Sequence, residues 1–82
     1  MKPGLALLPL ALVGALAAAP PQEDARAALA RGVALHQAGN LEGAVAAYRE
    51  SLALAPSVEA GSHLGAALAA LGRYEEASEA YR

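Results

Sequence analysis

The sequence contains no cysteine, no tryptophan and no phenylalanine, and its only aromatic residues are three tyrosines. Without cysteine the chain can form no disulfide and carry no lipid on a thiol. Any core must therefore be built from Leu, Ala, Val and Tyr. Basic residues are also few, since Lys and Arg number 6 against 8 Asp and Glu, and they form no cluster. That balance argues against nucleic acid and anionic membrane surfaces as partners.

Catalytic patterns are absent as well. The serines stand in no glycine-rich elbow, and the chain has neither a phosphate-binding loop nor a dinucleotide fingerprint. His36 and His63 fall on different predicted helices, and a metal ion would need a further ligand such as Glu59. We therefore expect no enzyme activity, no cofactor, no metal and no small-molecule substrate.

Residues 1–19 have the pattern of a secretory signal peptide. Lys2 supplies a positive start, an apolar stretch follows over residues 5–16, and small alanines come after it. The stretch is shorter than the roughly 20 apolar residues that span a bilayer. Cleavage after Ala17 or Ala19 would release the remainder for export, to the periplasm or outside the cell. An uncleaved membrane anchor and an ordinary apolar N-terminus remain as alternatives.

Start and stop signals divide the remainder into four helices. The apolar spacing predicts helices over residues 23–38, 41–55 and 58–71, and a fourth from residue 74 onward. Gly39 and Gly72 are interpreted as helix stops, Asn40 and Ser57 as N-caps, and Pro56 as the end of the second helix. The short turns predict that consecutive helices lie antiparallel.

A self-similarity of 33 residues is the most informative feature of the chain. Gly32, Gly39, Ala44 and Tyr48 recur 33 residues later as Gly65, Gly72, Ala77 and Tyr81. A fixed period of this size indicates stacked repeats, each of which buries its apolar face against its neighbours. The expected organisation is a signal peptide over 1–19, a linker and helix start over 20–24, a first repeat over 25–57 and an incomplete second repeat over 58–82.

These features resemble the tetratricopeptide repeat. In the second unit Leu64-Gly65 and Leu68 match the family's Leu-Gly-x-x-Tyr core, and Pro56 closes the first unit as in the family. The resemblance implies an all-α fold of antiparallel helix-turn-helix repeats that form a right-handed solenoid. The last helix is expected to be truncated at Arg82.

The repeated residues are interpreted as packing residues. Gly32 and Gly65 are expected to let the partner helix approach closely, while Tyr48 and Tyr81 fill the space between one unit and the next. Arg31 departs from the family, which usually has a leucine there, and Arg73 is a poor N-cap. The acidic run of the fourth helix is interpreted as a solvated face: Glu75, Glu76 and Glu79.

The resemblance also selects a candidate binding face. In the family the first helix of each unit lines the concave face of the superhelix, where peptides bind. Carried onto this chain, that face comprises Arg26, Leu29, Val33, His36, Gln37, Glu59, Ser62 and Ala66, with Ala69 and Ala70 beyond them. The polar clamp with which some members hold a terminal carboxylate is missing from it. What remains is a largely apolar groove that suits an amphipathic helix or an apolar peptide.

The sequence therefore predicts an exported protein-interaction scaffold with a protein or peptide partner. One alternative is the N-terminal recognition segment of a larger cell-envelope enzyme, whose catalytic domain would follow Arg82. Another is a membrane-tethered scaffold in which the signal stays uncleaved. We also expect residues 20–82 to be the N-terminal part of a longer repeat protein, because such arrays need about three units to be stable.

Overall fold

The computed structural model describes residues 20–82, and the predicted signal segment lies outside them. The described chain folds into four helices: α1 Pro21–Gln37, α2 Leu41–Leu54, α3 Val58–Ala70 and α4 Tyr74–Ala80. Three-residue turns over 38–40, 55–57 and 71–73 connect them. The predicted all-α repeat fold is confirmed. Among residues 20–82, no helix is both long and apolar enough to cross a membrane.

The first helix begins two residues earlier than the sequence predicts. The sequence predicts a linker and helix start over residues 20–24, and within that range Pro20 is the N-cap and Pro21 is the first helical residue. Proline suits that position because its missing N–H would have no partner in the first turn and its fixed φ is already helical. Glu23 and Asp24 follow in the first turn, where negative charge is favourable.

Glycine ends α1 and α3 in the same way. Gly39 and Gly72 have φ values of 86° and 80°, a left-handed conformation that glycine adopts without steric cost. The next residue in each case closes the turn, since the Asn40 N–H donates to the carbonyl of Leu35 and the Arg73 N–H to that of Leu68. Both predicted stops are therefore confirmed, since each glycine directly follows the C-cap of its helix, Ala38 or Leu71.

The predicted N-caps of α2 and α3 are also confirmed. The Gly43 N–H donates to Oδ1 of Asn40 at 2.9 Å, and the Ala60 N–H donates to Oγ of Ser57 at 3.1 Å. Arg73, which precedes α4, makes no side-chain cap. Caps of this kind contribute about 1 kcal/mol each, so α4 starts with less local stabilisation than α2.

The helices pack in chain order, α1 on α2, α2 on α3 and α3 on α4, with a smaller contact between α1 and α3. One buried cluster joins the two repeats: Ala44, Val45, Tyr48, Leu64, Ala67, Leu68 and Ala77. Its residues come from α2, α3 and α4. Each repeat thus completes its core with residues of its neighbour, as the 33-residue period predicts.

Candidate functional site

The repeated glycines accommodate a tyrosine ring rather than a helix backbone. A Cβ atom built on Gly32 would lie 2.5 Å from Cε1 of Tyr48, and one built on Gly65 would lie 2.5 Å from Cε1 of Tyr81. The close approach expected at these glycines is therefore made by a tyrosine side chain of the partner helix. The ring needs the volume that a side chain would occupy, so glycine and tyrosine are two halves of one contact inside each repeat.

Tyr48 is the centre of a three-ring group at the junction of the repeats. Its side chain is completely buried, and the burial raises the pKa of its hydroxyl. The ring of His63 on α3 stacks on it, with centroids 5.4 Å apart and planes 25° apart. His36 on α1 reaches the hydroxyl, with Nδ1 and Oη 3.3 Å apart. Tyr48 thus contacts α1 and α3 as well as its own helix.

Both histidines of the chain belong to this group. His36 was placed on the open face, yet it is only partly exposed and shares a hydrogen bond with Tyr48. His63, which the sequence places on a different helix from His36, packs on the Tyr48 ring. No group of three or more potential metal-ligating side chains occurs within residues 20–82.

An ion-pair network crosses from the first repeat to the second. Glu76 on α4 accepts hydrogen bonds from Arg73, with Nε 2.8 Å from Oε2, and from Arg49 on α2 at 2.9 Å. Arg73 also lies 3.4 Å from Glu42 on α2. The bonds from Arg73 and then from Arg49 hold the pKa of Glu76 below its ordinary value. Glu76 is exposed, as are Glu75 and Glu79, which agrees with their interpretation as a solvated face, and its ion pairs also tie α4 to α2.

Three residues of the predicted binding face lie together. Arg26 and Leu29 of α1 and Glu59 of α3 line a shallow depression of about 190 Å³ where the two repeats meet. Its other lining residues are Gln22, Ala25, Ser51, Ala55, Pro56 and Ser57. An apolar patch with one cation and one anion beside it can hold an apolar side chain flanked by charges of opposite sign.

The rest of the predicted face is dispersed. Val33 packs partly against the core, whereas Gln37, Ala66 and Ala70 are exposed and Ala69 is half-buried. Ser62 lines a different groove of about 400 Å³, formed with residues that include Leu52, Val58, Gly61, Ala80 and Tyr81. The structure therefore brings Arg26, Leu29 and Glu59 of the predicted face together and separates the others from them.

Sequence reasoning did not single out Ser51 as a site residue. Its hydroxyl is buried at the floor of the depression and donates to the carbonyl of Ala25 at 2.8 Å. The bond ties the end of α2 to the start of α1 and so fixes the wall that carries Arg26. Its burial could have been predicted from the sequence, because helical spacing places Ser51 on the same face of α2 as Tyr48.

Two-helix units with equivalent residues 33 positions apart and a shared core define a helical-repeat protein. The chain belongs to the tetratricopeptide-repeat family: models described as tetratricopeptide repeat match residues 25–58 and 62–82, together more than half of the chain. Repeats of this family generally mediate protein–protein interactions. No curated protein and no solved structure matches the chain at a significant level.

Proposed function

We propose that this protein is an exported scaffold that binds a peptide or helix on the face formed by α1 and α3. The observation that carries the proposal is the depression where Arg26, Leu29 and Glu59 converge from two repeats. Residues distant in sequence form one surface there, and only the stacked arrangement of the repeats creates it. The absence of a polar clamp favours an internal segment of the partner over a free C-terminal carboxylate.

Peptide selection tests the binding face. A random peptide library is selected on the immobilised chain, and enriched peptides are then measured by fluorescence anisotropy against single variants. Arg26→Glu and Glu59→Lys reverse the two exposed charges beside the depression. Loss of more than about 1 kcal/mol, or roughly a fivefold weaker Kd, is expected for at least one of them.

The chain offers a matched control for this measurement. Glu75 is the second residue of α4 as Glu59 is the second residue of α3, and both are exposed. Glu75→Lys therefore costs the same helix-dipole interaction without touching the depression, and it should leave peptide affinity unchanged. Equal affinity in all three variants would refute this face as the binding site.

The exported location is tested at the N-terminus. Mass spectrometry of the protein recovered from cells should give a first residue near Ala18 or Pro20, because charge, apolar stretch and small residues follow in the order that signal peptidases need. Recovery of a chain that still begins with Met1, in the membrane fraction, would contradict cleavage and favour the tethered scaffold.

A further inference from the structure

Two residues at the same position of the two repeats bring opposite charges to the depression of about 190 Å³. Arg26 of α1 and Glu59 of α3 are 33 residues apart, and both are exposed. Because α1 and α3 are each antiparallel to α2, they run in the same direction. The line from Arg26 to Glu59 therefore crosses both helices, and a ligand chain that contacts the two charges also lies across the helices.

The fold leaves these two charges without ionic partners. Three other arginines hold carboxylates: Arg31, Arg49 and Arg73. Within residues 20–82, Arg26 and Glu59 pair neither with each other nor with a third residue. A ligand that places a carboxylate near Arg26 and a cation near Glu59 would therefore complement both charges without breaking an ion pair of the protein.

The depression also offers apolar surface to a ligand. Leu29, Ala55 and Pro56 contribute to its lining. The Ser51 hydroxyl at its floor already donates to the carbonyl of Ala25, so it needs no polar group from a ligand. A cavity of about 150 Å³ in a protein holds a benzene ring. The volume of about 190 Å³ is thus sufficient for one leucine-sized side chain.

We infer that the depression selects an extended internal segment of a partner protein in which an apolar residue stands between an acidic and a basic residue. This inference rests on the function proposed above and names the ligand of the same face. Charged residues two positions before and after the apolar residue point to the same side of an extended segment as it does. They lie about 13 Å apart at about 3.3 Å per residue, against roughly 10 Å between packed helix axes. The long side chains of Arg26 and Glu59 span the difference.

Three defined peptides test the inference on the chain as it is recovered from cells. The first is Thr-Glu-Thr-Leu-Thr-Lys-Thr, and in the other two both charged residues are Glu or both are Lys. Threonine spacers favour the extended conformation, and acetylated and amidated ends remove the terminal charges. NMR titration gives each Kd, and the amides of Ala25, Leu29 and Ala55 report binding in the depression. The mixed-charge peptide should bind at least fivefold more tightly than either of the others.

Charge reversals on the protein should switch this preference. Arg26→Glu makes both charges beside the depression negative, so this variant should bind the peptide with two lysines most tightly. Glu59→Lys makes both positive and should favour the peptide with two glutamates. The matched control is Glu75→Lys, which changes the net charge as Glu59→Lys does, at an exposed position of α4 outside the depression. It should keep the preference for the mixed-charge peptide, and circular dichroism verifies that all three variants stay folded.

The outcomes distinguish failure of this inference from failure of the proposed function. Equal affinity for the three peptides, with shifts at the amides of the depression, would overturn the charge selection and leave the face as a binding site. Shifts confined to other residues would overturn both. Undetectable binding of the mixed-charge peptide at millimolar concentration would overturn the inference alone, since library selection tests the face without assuming a motif. A preference that Arg26→Glu and Glu59→Lys leave unchanged, or that Glu75→Lys also switches, would overturn it as well.

Discussion

The two repeats place the same pair of residues, a helix glycine and a tyrosine 16 positions later, in different surroundings. In the first repeat the Tyr48 ring lies against Gly32 and stacks on His63, and it is fully buried. In the second repeat Tyr81 lies over Gly65 but remains 58% exposed. The repeat motif therefore determines the glycine–tyrosine contact inside each unit. How much that contact stabilises the fold depends on whether side chains of the neighbouring unit bury the tyrosine ring.

The largest expected difference in stability is between alanine variants of the two tyrosines, Tyr48 and Tyr81. Removing a fully buried aromatic side chain costs about 3–5 kcal/mol, which matches the whole stability expected of so small a core. Tyr48→Ala should therefore abolish the helical circular-dichroism signal at 25 °C. Tyr81→Ala should leave a folded chain with a lower Tm. Comparable signal loss in both variants would show that the second repeat is as well covered as the first.

A smaller difference in stability is expected between alanine variants of Arg31 and Leu64, the residues that precede the two repeated glycines. Leu64 is buried between the repeats, so Leu64→Ala should cost at least about 2 kcal/mol. Arg31 is its exposed equivalent and pairs with Glu50 at 2.6 Å, an interaction between exposed side chains. Arg31→Ala should change the free energy of unfolding by less than about 1 kcal/mol. Urea unfolding of both variants measures the two changes in the free energy of unfolding. Equal decreases in the two variants would contradict the difference in burial.

The glycines provide the sharpest matched pair. Gly32→Ala forces a methyl group against a ring that has no room to move, at a cost of about 1–3 kcal/mol. Gly65→Ala meets a ring that can turn toward solvent, and alanine favours the helix by about 0.5–1 kcal/mol. We expect Gly32→Ala to lower the urea midpoint and Gly65→Ala to leave it nearly unchanged. The reverse order would mean that Tyr81 is held more tightly than Tyr48.

The smallest effect concerns the ion pairs that tie α4 to α2. Because bonds from Arg73 lower the folded-state pKa of Glu76, its contribution to stability is present above the unfolded pKa of about 4.3 and is lost as pH falls through the folded pKa. Glu76→Gln should therefore lower Tm slightly at neutral pH and not at all in strong acid. The same difference in Tm at both pH values would exclude the carboxylate charge as its cause.

Local signals predicted most of the fold. Glycines, prolines and capping side chains act within a few residues, so three helix starts and both glycine helix stops could be predicted from the sequence. The predicted helix ends fall within one residue of those observed for α1 to α3. The start of α1 was missed because a proline can both precede and begin a helix. The repeat period then gave the packing order, since equivalent residues must occupy equivalent places.

Contacts between helices were predicted less well. The hydrogen bond from Arg49 to Glu76 and the stacking of His63 on Tyr48 depend on how two helices are set against each other, which spacing within one helix does not specify. The same limit applies to the predicted binding face. Arg26, Leu29 and Glu59 converge on one depression, whereas Ser62 lines another groove. A list of equivalent positions cannot show which of them share a surface.

Amide hydrogen exchange in dilute solution tests most directly whether covering by a neighbouring unit sets the stability of a repeat. The amides of Tyr48 and Tyr81 occupy equivalent positions, and the Tyr81 N–H donates to the carbonyl of Ala77 at 3.1 Å. We predict that exchange at Tyr81 is faster than at Tyr48 by at least about tenfold, because α4 opens without the rest of the core. Equal protection at the two amides in a monomeric sample would contradict the account.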